Sequence, residues 1–218
     1  MATNTYVALQ TQTLSSGATS VTFSSIPQTY TDLILVLQGK SVLSTDDVQL
    51  YFNSDTGSNY SLTTLFGTGS SAVSARYSNL SNGFYISRPG WTSAGFTTTI
   101  LNFMNYANST TYKTVLFRSG ANDNSAGYNG TEAEVALWRS TAAITSFTIK
   151  GGGNIAAGST FTLYGISNAG DVGPKATGGT ITSAGGYTYH TFTMSGNFVP
   201  NQSLSADIVV VGGGGGGG

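Results

Sequence analysis

Apolar positions along this chain recur mostly with period two, and continuous apolar runs are short. In Val48-Gln-Leu-Tyr-Phe52 the side chains of Val48, Leu50 and Phe52 fall on one face, as in a half-buried strand. Phe161, Leu163 and Gly165 alternate with Thr160, Thr162 and Tyr164. Leu33-Ile-Leu-Val-Leu37 is continuous, which suits a central strand buried on both faces or covered by its neighbours. Strands are expected at residues 5–13, 20–24, 32–40, 48–53, 60–66, 83–87, 97–106, 113–119, 132–138, 144–150 and 160–166. Clusters of Gly, Asn, Asp, Ser and Pro interrupt them at 53–57, 88–90, 108–111 and 151–154, which is the chemistry of turns. Residues 103–108 and 111–119 read as a hairpin. Residues 140–144 offer one short helical turn and no more. Many short strands with Gly and Ser turns predict an all-β fold, an antiparallel β-sandwich with a jelly roll as the first choice.

The pattern changes after residue 167. Residues 1–167 are expected to form the jelly-roll-like sandwich. Residues 168–177 carry Asp171, Pro174 and Lys175 and read as a linker. Residues 178–218 read as a small β unit entering a glycine-rich segment, with strands at 187–194, 197–199 and 207–211. There Asp207-Ile-Val-Val-Val runs into seven consecutive glycines. Such a run is no helix, because each Gly costs about 0.8–1 kcal/mol against Ala. It suits a loose linker, or extended polyproline-II-like chains packed backbone to backbone, where only Gly fits. No cap follows the run, and the unit is too small for a core of its own. The expectation is that the polypeptide continues beyond Gly218 or that this unit pairs with other copies.

Composition narrows the function classes. Charged residues make up 8% of the chain, against about a quarter in ordinary domains. The chain is nevertheless rich enough in apolar residues, at 39%, to exclude disorder. Its surface is therefore Ser, Thr, Asn and Gly, with little charge to keep copies apart, and a homotrimer is expected. The eight Lys and Arg are scattered singly in a chain of net charge −1, which argues against a nucleic-acid partner. No apolar stretch of about 18 residues marks membrane insertion, and the first residues show no secretory signal. There is no cysteine, so the fold stands without disulfides. Asn-x-Ser/Thr triplets at Asn59, Asn79, Asn108, Asn129 and Asn201 are expected by chance in such a composition and are read as unused.

Candidate chemistry is sparse. His190 is the single histidine and stands in an alternating strand, without the positioned partner that a general base needs. No nucleophile elbow, zinc set or phosphate loop occurs. Asp46, Asp47 and Asp55 lie close in sequence and would supply part of a calcium site; the alternative is a solvated turn and an Asx turn. A glycosidase needs two carboxyls across a cleft at a set separation; Glu132 and Glu134, which share a strand face, are the candidate pair, but no other feature supports that reading. The expectation is no catalysis, no cofactor and no metal. Aromatics are the richer signal. Trp91 follows the 88–90 turn, and Tyr106, Tyr112 and Tyr128 lie in or beside polar turns. These four are the candidate contacts for a sugar ring or a protein partner; the alternative is that they cover the ends of the sandwich. Trp138 and Phe117, inside strands, are expected in the core.

Two sets of segments carry a resemblance. Ser20-Val-Thr-Phe-Ser-Ser-Ile-Pro-Gln-Thr-Tyr-Thr-Asp-Leu-Ile34, Phe52-Asn-Ser-Asp-Thr-Gly-Ser-Asn-Tyr-Ser61, Asn105-Tyr-Ala-Asn-Ser-Thr-Thr-Tyr-Lys-Thr114 and Leu137-Trp-Arg-Ser-Thr-Ala-Ala-Ile144 resemble a module of tailed bacteriophages. Gly185-Gly-Tyr-Thr-Tyr-His-Thr-Phe-Thr193, Ser195-Gly-Asn-Phe198 and Val209-Val-Val-Gly-Gly213 resemble the start of the glycine-rich domain of phage tail fibres and adhesins. The resemblance implies a structural protein on the exterior of the virion, a tail-fibre or receptor-binding component serving host attachment. Its partners would be other copies of itself, other virion proteins and a host surface glycan. A capsid decoration (cement) or head-fibre protein stabilising the shell is the alternative. A secreted carbohydrate-binding module is a weaker third.

Overall fold

The computed structural model describes residues 5–67, 70–87, 90–121, 130–166, 176–184, 187–200 and 204–212. Asn4–Asn168 forms one compact unit, and the remaining residues group as a second. All regular structure among the described residues is β.

The first unit contains twelve strands: β1 (Tyr6–Thr13), β2 (Ala18–Phe23), β3 (Asp32–Gly39), β4 (Gln49–Phe52), β5 (Tyr60–Gly67), β6 (Ala72–Leu80), β7 (Phe84–Tyr85), β8 (Thr97–Met104), β9 (Lys113–Ala121), β10 (Thr131–Trp138), β11 (Phe147–Ile155) and β12 (Thr160–Ile166). They form an eight-stranded sheet, β1-β12-β3-β8-β9-β10-β5-β6, and a four-stranded sheet, β2-β11-β4-β7. The pairings are antiparallel throughout.

The order resolves into a jelly roll with two insertions. Without β5, β6, β9 and β10, the sheets are β1-β12-β3-β8 and β2-β11-β4-β7. Consecutive strands β1 and β2, β3 and β4, β7 and β8, and β11 and β12 then lie in opposite sheets. This is the double Greek-key winding of a jelly roll. The hairpins β5–β6 and β9–β10 are inserted after β4 and after β8, and both extend the first sheet beyond β8.

The core lies between the sheets, and the alternation predicts its members. Leu50 and Phe52 of β4, with Val48 just before it, are fully buried, and so are Phe161 and Leu163 of β12. Gly165 continues that inward row because the ring of Tyr30 fills its place: a Cβ there would be 2.5 Å from Tyr30 Cγ. Phe52 lies at the centre, with ring centroids 5.3 Å from Trp138, 5.7 Å from Phe103 and 5.9 Å from Phe84. It belongs to the small sheet, whereas Phe103 and Trp138 belong to the large one. Removing a ring packed in this way typically costs about 3–5 kcal/mol.

Several expectations change. The apolar run Leu33 to Leu37 is not buried on both faces: Leu33, Leu35 and Leu37 are buried, whereas Ile34 and Val36 are half-exposed on the outer side. Residues 151–154 are not a turn between strands. They lie inside β11, whose register with β2 shifts between Lys150 and Ile155, the irregularity of a bulge. Residues 140–144 carry no helical turn. Strand β6 is new; its side chains are mostly exposed, so no buried face stamps a pattern on its sequence.

The second unit holds β13 (Ala176–Thr177), β14 (Thr180–Ala184), β15 (Tyr187–Thr191) and β16 (Val199–Pro200). β14 pairs with β15, and β13 with β16. The strand expected at 207–211 is absent. Ile208, Val209, Val210 and Val211 have the right β-branched chemistry, but a strand also needs a partner, and they are 84–87% exposed.

The close packing of Gly39 against Trp91 gives a direct test. A Cβ at Gly39 would stand 2.1 Å from the Trp91 ring, while one at Gly120 would meet nothing within 4 Å. Gly39→Ala is expected to lower stability by about 1–3 kcal/mol through overpacking. Gly120→Ala is expected to be nearly neutral. Urea unfolding of the two variants checks the difference.

Candidate functional site

The strand pairings bring together an apolar surface from five strands. On the outer side of the eight-stranded sheet, Val36 of β3 neighbours Ile100 of β8. Leu116 of β9 neighbours Val135 of β10, and Ala133 neighbours Leu65 of β5. With Ile34 these residues line a shallow concavity of about 650 Å³. Leu116, Val135 and Leu65 are 43%, 44% and 59% exposed. The outer face of an antiparallel sheet is ordinarily polar, and contiguous exposed apolar surface marks an interaction site. Arg118 stands within it, opposite Ile100 on one side and Ala133 on the other. The sequence signal was present in strands apolar at both parities, such as Thr99-Ile-Leu101 and Val115-Leu-Phe117.

The four aromatic candidates separate. Trp91 is fully buried, which corrects its expected place at the surface. Its backbone N–H donates to Asp46 O at 2.9 Å, and its ring lies 6.3 Å from that of Phe161. Tyr106 is also fully buried: its hydroxyl donates to Pro27 O and accepts from Tyr30 N at 3.4 Å. Burial raises its pKa. Neither ring is open to a sugar; both belong to the core cluster. Tyr112 is 56% exposed. It follows a turn in which Asn108 Oδ1 accepts from the N–H groups of Thr110 and Thr111 at 2.7 and 2.9 Å. Tyr128 lies outside the described residues. Trp138 and Phe117 are core residues, as expected.

The carboxylates serve the fold. Asp46 is buried rather than solvated; Ser41 Oγ donates to its Oδ2 at 2.8 Å and Gly152 N to its Oδ1 at 2.7 Å. It thereby pins the irregular stretch of β11. Asp47 is exposed. Asp55 makes the Asx turn, accepting from Gly57 N at 2.9 Å, and also accepts from Asn59 Nδ2 at 2.9 Å and Trp138 Nε1 at 2.7 Å. Among the described residues no three His, Cys, Asp or Glu side chains group as metal ligands. Glu132 and Glu134 do share a face of β10, but it is the inner one, and they are 2% and 4% exposed. Ser119 Oγ donates to Glu132 Oε2 at 2.6 Å. Carboxyls on alternate residues of one buried strand do not face each other across a substrate cleft. His190 is packed within its strand unit, with Nδ1 2.8 Å from Gly178 O and its ring edge-on to Phe198 at 5.0 Å.

Asp55 gives this arrangement a pH signature. Burial alone would raise its pKa, but the hydrogen bonds from Trp138, Asn59 and Gly57 outweigh burial and hold it below 3.8. A depressed carboxylate contributes stability above its unfolded pKa, and that contribution is lost as pH falls through the folded value. Asp55→Asn is expected to be about 1–3 kcal/mol less stable at pH 7 and to lose less stability than wild type on acidification below pH about 4. Thermal unfolding across pH 2–7 checks both. Beside this geometry, no family model, no curated protein and no solved structure matches the chain.

Proposed function

We propose that this chain is a structural and binding protein on the exterior of a tailed-bacteriophage particle, a tail-fibre component serving host attachment, and that it works as a homotrimer without catalysis. The observation that supports this reading most is the apolar outer face of the eight-stranded sheet, with Leu65, Leu116 and Val135 each more than two-fifths exposed. Such a face is unfavourable in water and favourable in an assembly. The low charge of 8% adds little repulsion between copies. Asp46, Asp55 and Glu132 accept hydrogen bonds within the fold, and Glu134 is buried. The resemblance of the 185–213 segment to glycine-rich adhesins supplies the phage context. Exposed Tyr112, beside its Asn- and Thr-rich turn, is the aromatic suited to a host glycan.

A labelled antibody against the chain, imaged by electron microscopy on purified particles of the phage that encodes it, tests the reading. Label in few copies at the tail is expected. Label in many copies over the head would replace the fibre with a decoration or head-fibre protein, and absence of label from particles would contradict a virion role. Release of reducing sugar ends by the purified protein would contradict the absence of catalysis.

A further inference from the structure

The second unit leaves two features unsatisfied that fit each other. The first is the run of Ile208, Val209, Val210 and Val211. These side chains are 84–87% exposed, and no backbone hydrogen bond joins residues 204–212 to another described residue. The second is the β14–β15 hairpin. Among the described residues it is a two-stranded sheet with no further strand on either outer edge, and an isolated two-stranded hairpin is marginal in water.

The edge of β15 carries none of the usual protection. Exposed edges are commonly blunted by charge, proline or a bulge. Residues 180–184 and 187–191 contain no charged residue and no proline, and their register runs without a break from Thr180↔Thr191 to Ala184↔Tyr187. The two faces beside that edge are both apolar in part. Tyr187 and Tyr189, 68% and 49% exposed, stand on one face with ring centroids 6.5 Å apart. His190 stands on the other, against Phe198. A strand added there meets apolar groups on both sides, and the 208–211 run is apolar at both parities. Alternating side chains would lie beside the two tyrosines, and the rest beside His190 and Phe198.

We propose that residues 208–211 of one copy add as a third strand to the free edge of β15 of a second copy. Every copy holds both the strand and the edge, so exchange between copies satisfies both, and a rotation of one third of a turn between copies closes it in a ring of three. A foreign strand on β15 would leave the 208–211 run uncovered. Backbone hydrogen bonds supply the pairing, and the valine and tyrosine side chains supply the buried surface, as in other strand additions. The inference deepens the self-association part of the proposed function and is independent of where the protein stands on a particle.

The chain contains no cysteine, so single cysteines report pairing cleanly. Tyr189→Cys and Val210→Cys are prepared as separate full-length proteins, mixed and mildly oxidised. A disulfide-linked pair of unlike chains is expected, well above that formed when Asp47→Cys replaces Val210→Cys. A V209K/V210K variant is expected to elute as a smaller species while its sandwich unfolds at the same denaturant concentration, because Val209 and Val210 are 87% and 86% exposed and lie outside the sandwich unit. Cross-linking no better than the Asp47→Cys control overturns the proposal. Cross-linking only when both cysteines occupy one chain overturns it too, in favour of pairing within a chain, and so does unchanged elution of V209K/V210K. Particle labelling can succeed whichever of these results is obtained, so the two readings fail separately.

Discussion

The packing of Phe52 between the two sheets is the interaction on which the first unit depends. Its ring touches Phe84 of its own sheet and Phe103 and Trp138 of the other. The residues just after it fix those neighbours in place. Tyr60 Oη accepts from Phe52 N at 3.0 Å and donates to Asp55 O at 2.9 Å. Asp55 in turn holds the Trp138 indole. The stretch from Phe52 to Tyr60 thus joins the end of β4, in the small sheet, to the start of β5 and the end of β10, in the large one. The inserted hairpins are tied to the jelly roll at this point, and they provide three of the residues that make its outer face apolar, Leu65, Leu116 and Val135.

Much of this was legible in the chain, for a physical reason. A strand with one buried face records that face at every second residue, and Val48, Leu50 and Phe52, or Phe161 and Leu163, are such records. What was not legible depends on contacts between distant segments. Strand β6 buries little and so leaves little pattern. Trp91 and Tyr106 follow turn residues, and local chemistry does not reveal that Gly39 opens a place for one ring, or that Pro27 O and Tyr30 N lie beside the hydroxyl of the other. Asp46 reads as a turn residue until the glycines of β11, distant in sequence, come beside it. The 208–211 run shows the converse: strong β propensity without a partner does not make a strand.

The outer face was half visible. Strands apolar at both parities announce burial on both sides, yet on the outer side Leu65, Leu116 and Val135 remain exposed. The same holds for the 208–211 run beside the open hairpin. Both features leave apolar side chains exposed among the described residues, whereas Asp46, Asp55 and Glu132 accept hydrogen bonds from their surroundings. Exposed apolar surface of this kind is suited to assembly and contact.

Sedimentation equilibrium of the full-length chain over a wide concentration range tests that claim most directly. A single reversible assembly of three copies, persisting at high salt because apolar burial rather than charge holds it, is the predicted result. A monomer at every concentration would contradict the account.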